Sequence, residues 1–332
     1  MGQFKKLLVT ILVLLTFRSV AVSQSGNWPK WNGYIQTRVA SNFDKFTEFT
    51  VRRSKLWIYG SLPKANYVSY KVQMVYRSFK DETVVLQDAL ANIRLRNFGE
   101  VKIGRFVPDF MLQRIQPDYE IPVLERASVI NSLTINEKQM GREVGAQYTL
   151  QSNAFHFSVG VFNANVDAPS HSKDNSFLST SRLEYKVIHQ NNFWVSIGGS
   201  VAYRYLNGLT MANIYNADSI VIGDDFRWGV ETQLHWNKFD LQGEYVQANI
   251  NSDAAKGWYG FACYSFLAKY QVIALTEKYI DLNPDTNNNC WVGVGVNYKI
   301  TGKTKLMADF KAQEEGSEYN YLGDIQLQVF FN

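Results

Sequence analysis

From near Trp31 to Phe331 the chain alternates apolar and polar residues with a period of two. Successive side chains of a strand point to opposite faces, so the pattern describes strands with one apolar and one polar face. Val292, Val294, Val296, Tyr298 and Ile300 enclose Gly293, Gly295, Asn297 and Lys299; Ile325, Leu327, Val329 and Phe331 alternate with Asp324, Gln326 and Gln328. About sixteen such segments follow one another, many of them about 9–13 residues long, whereas an ordinary strand has about 5–6. A bilayer calls for about 9–11 tilted residues. The polar face carries Lys, Arg, Asp and Gln, each of which would cost roughly several kcal/mol inside a soluble sandwich without partners. A closed barrel with lipid outside and water inside suits both faces and leaves no unpaired edge.

The connections agree. Short ones near Ser61–Ala65, Asn97, Ser152-Asn153, His189–Asn192, Asn237-Lys238, Leu267–Lys269 and Thr301–Thr304 alternate with longer ones. The longer set lies near Asn42–Thr47, Phe106–Gly141, Asn165–Ser176, Leu206–Asp224, Asn251–Lys256, Asp281–Asn289 and Glu314–Ser317; only Lys80–Glu82 is short where the rule asks for length. The expected fold is therefore all-β: a transmembrane antiparallel up-and-down barrel of about 16 strands, with both ends on the short-turn side. Phase is ambiguous only near Tyr270–Ile280, where Leu275, Glu277 and Lys278 fit neither face cleanly. Tyr203, Tyr205, Trp228, Trp236 and Phe239 are expected in aromatic girdles at the membrane edges.

Residues 1–23 read as a cleavable export signal. Lys5 and Lys6 precede an apolar run, Leu7 to Phe17, that is too short to span a bilayer as a helix, and Ala21-Val22-Ser23 supplies the small residues for cleavage before Gln24. The rest, 24–332, reads as one barrel domain. The signal carries Lys5, Lys6 and Arg18 and no acid, so the formal charge falls from +4 to +1, with 31 basic against 30 acidic residues. Such a balance offers nothing to nucleic acid. Cys263 and Cys290 have a strand between them on this reading, so they are expected as two small side chains rather than a disulfide.

The connection from Phe106 to Gly141 is far longer than the roughly 12–15 residues beyond which loops are usually functional. It holds Phe110, Met111, Leu112, Ile115, Tyr119, Ile121, Val123, Leu124, Val129, Ile130 and Leu133. A loop this apolar seeks cover, so residues 106–141, the third outer loop, are read as folding into the lumen as a constriction. The alternatives are an outer lid or a contact between copies. Pro122 ahead of Val123–Leu133 predicts a short helix there.

Here the chain resembles a known family. Lys102-Ile103-Gly104-Arg105-Phe106-Val107-Pro108, then Glu125-Arg126-Ala127-Ser128, then Met140-Gly141-Arg142-Glu143-Val144-Gly145 look like the phosphate-selective porin O and P family. Val51-Arg52-Arg53-Ser54-Lys55-Leu56 and Gly257-Trp258-Tyr259 resemble two of its strands. The resemblance implies a sixteen-stranded bacterial outer-membrane barrel, commonly a homotrimer, narrowed by its third loop. Phosphate-specific members carry a long ladder of alternating arginines down one wall. This chain has only Arg94-x-Arg96 and Arg53-x-Lys55, so phosphate selectivity does not carry over.

Alternation assigns the lumen a basic excess on the second to fifth strands. The residues expected to line the pore and bind anions are Arg53, Lys55, Lys71, Arg77, Arg94, Arg96 and Lys102, together with Arg126 from the loop. Basic rings between low-dielectric walls raise the local anion concentration. Arg182, Glu184 and Lys186 on one strand look like ordinary wall charges in mutual pairs. His156 and His235 alternate into the lumen without a nucleophile-elbow, metal-ligand or phosphate-loop pattern. No catalytic residue, metal or cofactor is expected. The expected function is passive diffusion of small polar solutes with a weak anion preference, phosphate or other oxyanions included. The partners would be outer-membrane lipid and the solutes. The rival readings are an outer-membrane barrel hydrolase and a secreted β-rich adhesion or binding protein.

Overall fold

The computed structural model describes residues 29–77, 83–133, 135, 141–164, 176–190, 192–215, 219–283, 289–315 and 318–332. The expected signal, the 80–82 connection and nearly all of the 165–176 connection lie outside them. The strands are β1 (Lys30–Ser41), β2 (Thr47–Leu62), β3 (Ala65–Arg77), β4 (Thr83–Arg94), β5 (Glu100–Phe106), β6 (Glu143–Gln151), β7 (Phe155–Asn163) and β8 (Phe177–Gln190). The second half comprises β9 (Phe193–Thr210), β10 (Ile220–Trp236), β11 (Phe239–Ile250), β12 (Asp253–Phe266), β13 (Tyr270–Ile280), β14 (Asn289–Lys299), β15 (Thr304–Glu315) and β16 (Glu318–Phe331). Each pairs antiparallel with the next, and β1 closes on β16 in a register that sets Tyr34 opposite Phe330. This is the expected sixteen-stranded, up-and-down barrel.

The alternation sorts the faces as expected. Val292, Val294 and Val296 lie on the outer surface, 54%, 59% and 48% exposed, while Asn297 beside them is buried within. Tyr203, Tyr205, Trp236 and Phe239 are exposed outside, and Trp228 packs against Tyr245 there. In β13 the ambiguity resolves: Ile273, Glu277 and Tyr279 are buried on the inner face, and Leu275 packs with them. Cys263 and Cys290 are both free thiols.

Two irregularities put adjacent residues on the inner side. Between β1 and β2 the register passes from Gln36 opposite Arg53 to Thr37 opposite Val51, leaving Arg52 as the extra residue of a bulge. Between β3 and β4 the same happens at Gln87, and Gln87 and Asp88 are both buried.

Some connections are shorter than expected. β9 runs to Thr210 and β10 starts at Ile220, so the 206–224 connection is paired strand at both of its ends. Likewise Ile250 pairs with Asp253, and Glu315 with Glu318, where longer connections were expected. The reason is that polar residues at the outer rim, such as Gln247 and Asn249, end the apolar alternation but still complete the backbone ladder. Asn251 turns the chain between β11 and β12 at φ 53°, a left-handed conformation that Asn tolerates. Its side chain accepts from the amide of Asp224 and donates to the carbonyl of Ile222, both at 3.0 Å.

Candidate functional site in the barrel lumen

The segment between β5 and β6 lies against inward-facing side chains around the barrel. It contains two short helices, α1 (Leu112–Ile115) and α2 (Ser128–Ser132). The helix expected over 123–133 is therefore only its second half. Pro122 has no amide to donate, its carbonyl accepts instead from Asn297 Nδ2 (2.8 Å), and that of Leu124 from Arg38 (3.2 Å). Carbonyls held by wall donors do not start a helix.

Neither helix is capped by its own preceding side chain. The wall supplies the caps. Glu244 on β11 accepts from the amides of Leu112 (2.8 Å) and Gln113 (2.7 Å), and Glu277 on β13 accepts from Ser128 (2.9 Å). The apolar loop residues Phe110, Met111, Ile121, Val123, Val129, Ile130 and Leu133 are buried in one cluster with wall residues of β7 to β13, among them Phe162, Leu206, Val246 and Ile250. Each large side chain so buried contributes about 1.5–3 kcal/mol. Glycines make room: a Cβ on Gly229 would meet the sulfur of Met111, and one on Gly257 would lie 2.8 Å from Val129.

On the opposite side the loop presents carboxylates to the basic wall. Glu125 takes Arg38 (2.7 Å), Arg52 (2.5 Å) and Arg53 (3.0 Å). Burial alone would raise its carboxyl, but Arg53, Arg52 and Arg38 overcome this and hold it well below the usual carboxylate range. Asp118 pairs with Lys55 and Arg126 and accepts from the Tyr34 hydroxyl (3.3 Å). Asp88 pairs with Lys71 (2.9 Å) and with Arg142 (3.2 Å). Burial and then the neighbouring Arg142 and Arg53 lower Arg114 to about 9; burial, Arg114, Arg53 and Arg142 lower Arg126 as well. Cations thus crowd one another here: Arg38, Arg52, Arg53, Lys55, Lys71, Arg114, Arg126 and Arg142 outnumber Asp88, Asp118, Glu125 and Asp324.

Of the residues expected to line the pore, Arg53, Lys55 and Arg126 converge on this cluster. Lys71 and Lys102 border a cavity beside it of about 830 Å³, and the Lys102 ammonium sits 5.1 Å from the Phe106 ring centroid. Arg96 is a correction. It occupies the β4–β5 turn at φ 54° and is exposed, because pairing of these strands ends at Arg94 and Glu100. Arg94 closes its strand in an exposed position. Arg77 ends β3, and its side chain lies outside the described residues. Arg38 and Arg52 were not among the expected residues. The alternation of Tyr34, Gln36 and Arg38 carried a signal for the first; the bulge that turns Arg52 inward carries none in a period-two pattern.

Elsewhere on the wall charges are also paired. Arg182 binds Glu231 (3.0 Å) and Glu184 (2.8 Å), and Arg204 and Arg227 share Asp225 (2.9 and 2.8 Å). His156 contacts Asp109 of the loop (3.0 Å), and His235 contacts Asp240 (2.7 Å). A second cavity, of about 670 Å³, includes Lys299, Lys303 and Lys305 and shares Tyr119 and Phe330 with the first.

A closed barrel with an apolar outer face, a polar interior and an inward-packed loop defines an outer-membrane channel. Residues 32–319 match the sequence model of the phosphate-selective porin O and P family, and the chain belongs to that family. Among solved structures it is similar to an anion-selective porin from Comamonas acidovorans (11% identity, 92% of this chain and 100% of that one, TM-score 0.67). It is also similar to OmpF of Salmonella typhi in complex with daunomycin (11%, 92% and 98%, TM-score 0.68). A trimer form of OmpT, an outer membrane protein of Vibrio cholerae, aligns at 10% identity over 92% of this chain and 100% of that one, with a TM-score of 0.66. At these identities the likeness concerns the fold. No curated protein matches the chain in sequence.

Proposed function

We propose that this outer-membrane channel passes small polar solutes by diffusion with a weak preference for anions, and that residues 106–141 form its constriction. The observation that carries the reading is the crowd of guanidinium and ammonium groups where the loop meets β1 to β4, with fewer carboxylates than cations. Low-dielectric walls focus that surplus into the passage. Arginine adds a flat two-pronged donor suited to phosphate and carboxylate. The ion pairs with Glu125 and Asp118 offset part of the charge, which fits a weak bias better than phosphate specificity. Export by residues 1–23 and assembly as a homotrimer belong to the same reading, the latter supported by the trimer form of the similar OmpT. We read the chain as a channel and not as a hydrolase.

The zero-current potential across a KCl gradient in a planar bilayer tests the reading. Chloride-favouring reversal is expected. A cation-favouring reversal would leave the porin and remove the anion preference.

A further inference from the structure

The cavity of about 830 Å³ has an unusual boundary for a water-filled lumen. Four rings meet at its edge: Tyr34 on β1, Trp57 on β2, Phe330 on β16 and Tyr119 on the loop. Trp57 and Tyr119 stack with centroids 6.0 Å apart and planes at 10°; Phe330 lies 5.7 Å from Trp57 and 5.4 Å from Tyr119. Loop anchoring does not account for the choice of rings, because on the β7 to β13 side the loop is held mostly by aliphatic contacts. Tyr119 and Phe330 are only part-buried, and both border the two cavities at the short-turn end. Two ring–ammonium neighbours flank the same space: Lys55 lies 5.8 Å from the Tyr34 centroid, and Lys102 5.1 Å from that of Phe106.

We infer that this aromatic corner is a binding subsite for a ring-bearing organic anion of the hexose-phosphate class. The flat apolar face of a pyranose lies on the part-buried Tyr119 and Phe330 rings, which the buried Trp57 backs, and their negative π-faces attract the sugar's polarised C–H groups. The phosphate meets cations that border the same cavity, Lys71 and Lys102 among them. The volume falls in the range of about 300–1,000 Å³ common for small-molecule sites. The inference rests on the anion-favouring reading above and adds a preference within anions: a sugar phosphate is retained longer than either a bare sugar or inorganic phosphate, because only it uses both the rings and the cations.

The test is block of the KCl current in planar bilayers by glucose 6-phosphate, inorganic phosphate and glucose, with the reversal potential measured on the same membranes. For the wild type, glucose 6-phosphate is expected to half-block at a concentration at least tenfold below that of inorganic phosphate, and glucose to block least. In Trp57→Ala and Tyr119→Ala, each shown to be folded by heat-modifiable migration, the ratio should fall towards one, while Trp57→Phe should keep most of it. A chloride-favouring wild-type pore with a ratio near one, or a ratio that survives both alanine variants, overturns the subsite alone. A cation-favouring pore overturns the reading beneath it as well.

Discussion

The carboxylate of Glu244, on strand β11, accepts a 2.8 Å hydrogen bond from the backbone amide of Leu112 and so caps a helix 132 positions away in the chain. Its other oxygen receives the amide of Gln113 and the Tyr259 hydroxyl. The wall thus supplies what the loop's own sequence lacks, since Met111 offers no capping side chain. Replacing Glu244 by Ala should loosen α1 by about 1–2 kcal/mol, the worth of a cap. The expected result is a barrel that still migrates as a folded species and a single-channel record with added conductance steps. A record as quiet as the wild type would remove Glu244 from the anchoring role.

Glu125 should stay ionised as the pH falls through about 4.3, where an ordinary glutamate takes up its proton. Its folded pKa is depressed, so its contribution to loop anchoring is fully present above the ordinary value. That contribution is lost only as the pH falls further, through the lowered one. Glu125→Gln removes it at every pH and leaves Arg38, Arg52 and Arg53 without their shared carboxylate. The variant should show stronger chloride selectivity at pH 7 together with a less stable open level. An unchanged reversal potential would show that this cluster does not face the permeating ions.

The position of the arginines ranks their effects. Arg52 and Arg53 lie on the inner side of β2 against the loop, whereas Arg94 and Arg96 are exposed at the short-turn end. An Arg52→Gln, Arg53→Gln double variant should reduce the chloride bias clearly. The Arg94→Gln, Arg96→Gln pair should change it by less than half as much. The reverse order would place the selective region at the β4–β5 end.

Val294 is at the middle of β14 on the outer surface. Val294→Lys should destabilise the folded barrel by about 2–4 kcal/mol, the cost of a cation at mid-bilayer. Urea titration of the protein in lipid vesicles measures it. A near-neutral result would contradict the assignment of faces on that strand.

The period-two pattern was enough for the class of fold, the strand count and most of the inward face. One physical rule, water on one side and lipid on the other, acts on every strand independently of its neighbours. Thus Val292, Val294 and Val296 pointed outward in the sequence as they do in the barrel. The apolar run in residues 106–141 likewise demanded cover wherever the chain provided it. The family resemblance rested on short segments, most of them in and around that loop, and did not depend on three-dimensional detail.

What the pattern could not express lies where strands stop being equivalent. A bulge turns Arg52 to the same side as Arg53, and no alternation encodes an extra residue that changes phase. The strands also run past their apolar stretch, because backbone pairing continues after the apolar outer face ends. The loop's helices begin where wall carboxylates and wall donors, far away in sequence, take their amides and the carbonyls ahead of them. Residue order by itself therefore determined a membrane barrel with a polar lumen and an apolar inserted loop. Only closure of the sheet decided which charges meet, because ion pairs such as Arg38 with Glu125 form between segments that become neighbours only when β1 joins β16 around the loop.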